Sequence, residues 1–390
     1  MKKILIVIPT LRSGGGVIRG LQNMLSLLPI GKYKIDVLPT GYSDINNTDL
    51  PQCTILGWNF GLNAVTAEYN QTKGYKYRIL LWLAKCLLSV STKLGIRENC
   101  EKLIYRRTAR KYIGYDVVIA YQEGASTRFA QYIKANKRIA WIHCDYREYY
   151  NTHHNKSEEN IYNRYNDIVC VSKYTLDNFQ KIYPALRERS TFIYNFLDYE
   201  YIVKSSLESI KDAVINDNLI RLISIGRLHY VKQFHLIPSI ITEMIKLGAR
   251  NFKWVLIGSG DEIELKKIMT AVNKYNVKPY FEYLGPKQNP YPYIRTSDIL
   301  VSTSLSEACP FVVNEAKVLN IPVVSNNYPS IYEFITDGYN GRIVTIESLP
   351  HILTNLINNE KELMCLKERA SKNNYDNLSI IEQVCKLIEK

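Results

Sequence analysis

Short, nearly unbroken apolar runs alternate along this chain with longer stretches whose apolar positions recur at helical spacing. In the first half such runs predict strands at residues 4–9, 35–39, 116–120, 138–143 and 167–171. The second half repeats the pattern at residues 221–226, 253–258, 280–284, 298–303 and 322–325. A strand that is apolar throughout, without in–out alternation, belongs in a sheet covered on both faces. Strands of that kind separated by helices predict a parallel, doubly wound sheet. Two sets in one chain therefore predict an α/β protein with two Rossmann-like domains facing across a cleft. The join falls near Tyr194-Asn-Phe-Leu-Asp198 and a polar stretch running to Asn218. The expected domains are residues 1–198 and 199–375, with a terminal helix at 376–390.

A length of 390 residues is enough for two full cores. With 46% hydrophobic and 22% charged residues, the composition is that of an ordinary globular protein. The eight cysteines are scattered with no C-x-x-C pair, which argues against a zinc site or disulfide scaffold and for a reducing, cytoplasmic setting. The apolar run after Lys2-Lys3 is too short for a signal peptide and lacks a small-residue cleavage site. It reads as a buried first strand.

Charge divides the chain. Residues 1–198 hold 28 Lys and Arg against 16 Asp and Glu, a net +12, whereas the remainder nets +1. The excess concentrates in residues 73–111, where eleven cations face only Glu98 and Glu101. The apolar stretch 79–96 inside it is interrupted by Lys85 and Lys93, so it is not read as a membrane span. An amphipathic basic helix lying on an anionic membrane is expected, at the cytoplasmic face. The alternative is a helical hairpin packed on its own domain with a solvated basic edge. No recognisable module supports nucleic-acid binding.

The chemistry gathers in the second half. Glu307 follows the strand at 298–303, and Glu315 lies a little over one turn inside the helix that Pro310 opens. In open α/β sheets ligands bind at the carboxyl ends of the strands. The unpaired N–H groups between Ala308 and Val312 form an anion site. A carboxylate beside each end of a phosphate site suits a diphosphate carrying hydroxyl-rich groups on both sides, as a sugar nucleotide does. After the strand at 221–226, Arg227 and Lys232 stand in one loop, where a planar fork and a point charge converge on a pyrophosphate. Pro310, Phe311 and Val312 at the helix start, and Leu284 at the end of its strand, complete the expected nucleotide-contacting set.

These motifs occur in an order that resembles the family 4 retaining glycosyltransferases. The resemblance rests on Gly226-Arg-Leu with Lys232, on Val255-Leu-Ile-Gly-Ser-Gly-Asp261, and on the two glutamates with seven residues between them. Asn289-Pro-Tyr-Pro-Tyr-Ile-Arg-Thr-Ser-Asp298 and the run from Ser325 to Gly341 point to the bacterial surface-polysaccharide branch. Ala308 stands where the family usually has Gly, and Phe196 where it usually has Pro. The resemblance implies the GT-B architecture, with the last helix crossing back to the first domain.

Three N-terminal features are added to this set. Ser13-Gly14-Gly15-Gly16 opens a helix after the first strand, and the resemblance places Gly15 and Gly16 against the donor diphosphate. His143 ends a strand at the position of the family's cleft histidine, near the sugar at the reacting centre. Glu123, at another strand end, and Asp145 are the expected acceptor-side residues, although a helix N-terminal carboxylate explains Glu123 equally well. His153 and His154 have no acidic or Cys partner at metal spacing, and there is no Asp-x-Asp signature. No metal or other cofactor is expected.

The implied reaction is transfer of a hexose from a nucleotide-diphosphate sugar, UDP-linked first and GDP-mannose next, to a lipid-linked saccharide. Glu315 would take the ribose hydroxyls and Glu307 the donor sugar, while Arg227, Lys232 and the helix start stabilise the leaving diphosphate. The rivals are a sugar-nucleotide 2-epimerase and a non-catalytic sugar-nucleotide-binding subunit.

Overall fold

The computed structural model describes residues 1–11, 15–41, 43, 50–57, 59–66, 75–153, 158–210, 219–370 and 376–390. Ser13, Gly14, Lys73, His154 and the linker residues 211–218 lie outside the described residues. The chain forms two compact units, Met1–Phe196 with Leu378–Lys390, and Leu197–Asn377.

The first unit contains β1 (Lys2–Ile8), β2 (Tyr33–Pro39), β3 (Cys53–Ile55), β4 (Tyr115–Ala120), β5 (Ala135–Ile142), β6 (Asp167–Cys170) and β7 (Ser190–Phe192). They form one sheet in the order β3-β2-β1-β4-β5-β6-β7. The second contains β8 (Ile220–Ile225), β9 (Phe252–Ile257), β10 (Phe281–Gly285), β11 (Ile299–Ser302), β12 (Val323–Asn326) and β13 (Gly341–Val344), in the order β10-β9-β8-β11-β12-β13. Every strand pairing in both sheets is parallel. The fold is thus the expected α/β type, two Rossmann-like units in the GT-B class. Strands β3, β7 and β13 extend the sheets beyond the expected set. Each has only three or four residues, too few for a pattern to show in the sequence.

The apolar runs are buried on both faces, as parallel sheets require: Ile4 to Ile8 of β1 and Val117 to Ala120 of β4 are each at most 2% exposed. Around β9 the second core closes on Trp254, whose Nε1 donates to Ser224 Oγ (3.0 Å). Ser224 in turn donates to the Val301 carbonyl (2.7 Å). This buried polar chain links β9, β8 and β11 and leaves neither side chain unsatisfied.

In each sheet the winding direction reverses at one point, between β1 and β4 and between β8 and β11. The loops leaving these strand pairs form the crevice where doubly wound sheets take their ligands. Glycines shape the crevice of the second unit. A Cβ on Gly258 would lie 1.8 Å from the Gly226 carbonyl oxygen, and one on Gly260 would lie 2.4 Å from that of Leu228. Only glycine lets the loop after β9 lie against the loop after β8. Leu228 N–H then donates to Ser259 (2.9 Å) and Asp261 N–H to Leu228 (2.9 Å), which sets the backbone carrying Arg227.

The final helix, Asn377–Glu389, packs Ile380, Val384 and Ile388 into the first unit. Its last carbonyls receive ammonium donors, from Lys137 to Leu387 (2.6 Å) and from Lys2 to Ile388 (3.1 Å) and Glu389 (3.0 Å). Cations are favoured at that end of a helix.

Candidate functional site

The reversal point of the second sheet carries the Arg227–Lys232 loop on the β8 side and Ser302 to Glu307 on the β11 side. Glu307 is the hub. Lys232 makes an ion pair with its Oε1, and Ser304 Oγ donates to the same oxygen (2.8 Å). Among the described residues nothing engages Oε2. The main chain is held as firmly: Ser330 Oγ donates to the Glu307 carbonyl (2.6 Å), Thr303 Oγ1 to that of Lys232 (2.6 Å), and Asn326 Nδ2 to that of Ser304 (2.8 Å). With side chains of Lys232 and Glu307 only 21% and 18% exposed, the pair is shielded from the screening that weakens surface ion pairs.

Arg227 is exposed and makes no ion pair among the described residues. The structure thus brings Lys232 to Glu307 but leaves Arg227 outside that cluster. Helix Phe311–Val318 starts at Pro310, whose φ of −75° suits a helix entrance, with no side-chain cap and no acid in its first turn. Its first N–H groups therefore have no capping side chain, with Phe311 and Val312 half-buried beside them. Glu315, on the next turn, is 1% exposed and receives the Tyr291 hydroxyl (3.4 Å). Leu284 lies half-buried in β10, next to a loop fixed by Gly258 N–H to the Gly285 carbonyl (3.0 Å).

Sequence reasoning passed over Ser304, Ser330 and Tyr291. Each sits inside or beside a motif already noted, but an isolated serine or tyrosine gives no signal of which carboxylate it serves.

In the first unit, Gly15 and Gly16 begin helix Gly16–Leu27, again with no side-chain cap and no acid in the first turn. Glu123 follows β4 and His143 follows β5. Glu123 is 8% exposed and its Oε2 accepts the His143 main-chain N–H (2.9 Å). Burial raises the Glu123 carboxyl above its ordinary range and pushes the His143 imidazole down to about 3, so this histidine is neutral at physiological pH. The His143 ring packs on Tyr121 (4.6 Å between centroids) and Trp141 (6.5 Å), and its buried Nε2 has no hydrogen-bond partner among the described residues. Asp145 caps helix Tyr146–His153 through the N–H groups of Arg147 (3.1 Å) and Glu148 (3.5 Å), and also accepts the Tyr174 hydroxyl (3.2 Å). A capping role accounts for these contacts. His153 stacks on Tyr149 at the surface. No group of three or more His, Cys, Asp or Glu side chains with metal-binding placement occurs among the described residues.

Residues 205–374 match the family model described as Glycosyl transferases group 1, a match that lies within the second unit. An uncharacterized glycosyltransferase of Methanocaldococcus jannaschii, MJ1059, is 30% identical over 174 residues, 42% of this chain and 40% of that protein. The amylovoran biosynthesis glycosyltransferase AmsD of Erwinia amylovora is 30% identical over 105 residues, 27% of this chain and 28% of that protein. The matches span less than half the length of these curated relatives. Among solved structures, the whole chain follows Anabaena Alr3699/HepE in complex with UDP and glucose, with TM-score 0.73, 14% identity and 99% of each chain covered. It likewise follows a mutant of S. aureus TarM in complex with fondaparinux, alpha-GlcNAc-glycerol and UDP, with TM-score 0.74, 14% identity and 100% of each chain covered. At such identity the likeness speaks for the fold.

Proposed function

We propose that this protein is a retaining glycosyltransferase, moving a hexose from a nucleotide-diphosphate sugar to a lipid-linked saccharide in surface-polysaccharide synthesis. The observation that carries the proposal is Glu307. One oxygen is tied to Lys232 and Ser304, the other has no partner among the described residues, and an uncapped helix start follows three residues later. Such a group orients sugar hydroxyls through Oε2, while Lys232, Arg227 and the N–H groups of the helix start meet charge growing on a departing diphosphate. Glu315 takes the ribose hydroxyls. A UDP-sugar is favoured, with GDP-mannose next, and the clamp works without a metal. In the retaining reaction the acceptor hydroxyl attacks the face that the diphosphate leaves, and the leaving phosphate oxygen takes its proton.

The direct test is thermal-shift screening with UDP, GDP, ADP and their sugars, with and without EDTA. One nucleotide is expected to raise the melting temperature equally in both conditions. No stabilisation by any of them refutes the donor site, and stabilisation abolished by EDTA refutes the metal-free clamp.

A lipid-linked acceptor places the enzyme at the cytoplasmic face of a membrane, and one surface supports that reading. Helix Tyr75–Lys93 buries Leu81, Leu88 and Ser91, while Ile79, Leu80, Trp82, Leu83, Leu87 and Val90 are 41–72% exposed. No described helix is long and apolar enough to cross a membrane. The next helix, Arg97–Ala109, pairs both its acids internally, Glu98 with Lys102 and Glu101 with Arg97. The surrounding cations keep their net positive charge. An apolar face of this size, rimmed by positive charge, matches an anionic bilayer. In flotation assays with phosphatidylglycerol vesicles, Trp82→Ser with Leu87→Ser is expected to abolish binding. Arg106→Gln, Arg107→Gln and Arg110→Gln together should weaken it most at low salt. Wild-type protein that ignores such vesicles at low salt overturns the membrane reading.

A further inference from the structure

The N–H of His143 presents a problem of main-chain accounting. Strands β4 and β5 run in register through Ala120 and Ala140. Strand β4 ends at Ala120; its Tyr121 N–H still bonds Val7 of β1 (2.8 Å), and the chain then enters a turn at residues 122–124. The amide of His143, one residue past β5, is therefore left without a ladder acceptor from β4. Buried amides are rarely left unpaired. The acceptor is a side chain, Glu123 Oε2 at 2.9 Å, twenty residues back.

A carboxylate is an unusual choice for that task. It is 8% exposed and lacks any ion-pair partner among the described residues, and burial opposes its charge. Besides the His143 amide it accepts its own main-chain N–H and the Cys144 thiol, so it ties the strand end around His143 at more than one point. The arrangement makes sense if the position of His143 matters. Trp141, on the same face of β5, and Tyr121 fix the ring from its sides, and Glu123 fixes the backbone from which it projects. The His143 Nε2 is then an oriented neutral group with no hydrogen-bond partner among the described residues.

We propose that Glu123 is a positioning residue for His143. It holds the main-chain N–H so that the imidazole keeps one placement, and it does not itself bind the acceptor. The inference rests on the transferase reading, in which His143 serves the reacting sugar.

The test is a double-mutant cycle on the full-length chain, reading the nucleoside diphosphate released from UDP-glucose, UDP-galactose and GDP-mannose. His143→Ala is expected to slow release about 10- to 100-fold, the worth of one good hydrogen bond to the reacting centre. Glu123→Ala should slow it about tenfold with KM for the donor unchanged, because neither Glu123 nor His143 is among the groups assigned to the nucleotide. In the His143→Ala background, Glu123→Ala should cost less than about twofold, since a residue acting through another has nothing further to lose. Glu123→Gln keeps an acceptor oxygen and should retain roughly half or more of the wild-type rate. This variant decides the matter if Glu123→Ala does not fold.

Equal losses from Glu123→Ala in both backgrounds overturn the inference while leaving the transferase intact. So does a folded Glu123→Gln as slow as His143→Ala. If His143→Ala turns over like wild type, the role of His143 falls, and this inference with it. If the wild-type chain releases no nucleotide from any of the three donors, the transferase reading itself fails.

Discussion

Replacing Glu307 with Ala is expected to lower turnover about 10²- to 10³-fold while leaving UDP affinity within a few-fold of wild type. A preorganised group that meets the donor sugar contributes on that order when its effect is confined to the transition state. Lys232→Ala should reduce turnover by a similar factor and also weaken nucleotide binding, because in the proposed site the ammonium meets the diphosphate as well as Glu307. The two therefore differ in kind. Loss of Glu307 appears in kcat, whereas loss of Lys232 appears in both kcat and KM. Each single change also leaves a partly buried charge without its counter-ion. Rates should accordingly be taken well below the melting temperature, with circular dichroism to confirm folding. Steady-state release of nucleoside diphosphate and titration calorimetry with UDP separate the outcomes. A Glu307→Ala variant with unchanged kcat refutes the role given to this carboxylate. Unchanged UDP affinity in Lys232→Ala refutes the diphosphate contact.

The second large effect concerns stability. Gly258→Ala would place a Cβ 1.8 Å from the Gly226 carbonyl oxygen, at a φ of +154° that side chains rarely adopt. The obstacle is main chain on both sides, so no rotamer change relieves it. The loop after β9 must separate from the loop after β8, which breaks the Leu228–Ser259 and Asp261–Leu228 hydrogen bonds. Backbone strain and overpacking together destabilise by about 3–5 kcal/mol. For a unit of this size that corresponds to a fall in Tm on the order of 10 °C. Gly57→Ala is the control, since nothing among the described residues lies within 4 Å of its added Cβ and its φ is not in the left-handed region. A Gly258→Ala protein melting within about 2 °C of wild type would show that the loop relaxes more freely than the geometry allows.

These two experiments probe different layers of what the sequence contains. The sheets were legible because a parallel strand buried on both faces is a local property. Val-Ile-Leu runs such as Ile4 to Ile8 declare themselves without reference to partners. The short strands Cys53–Ile55, Ser190–Phe192 and Gly341–Val344 were not, because three or four residues become a strand only when a neighbour supplies the ladder. The glutamates and the basic loop stood out for a similar reason, since each follows a strand end and precedes a helix start or a loop rich in donors.

What the sequence by itself determined is the class of fold, two doubly wound parallel sheets, together with the chemical types gathered at their strand ends. The tertiary structure alone decided which of those groups meet. It pairs Lys232 with Glu307 and leaves Arg227 exposed, buries Glu123 against the amide of His143, and spends Asp145 on a helix cap. The physical reason is that hydropathy acts locally along the chain, whereas the partner of a charge is set by three-dimensional proximity. Lys232 and Glu307 are 75 residues apart, and only the adjacency of β8 and β11 makes them neighbours.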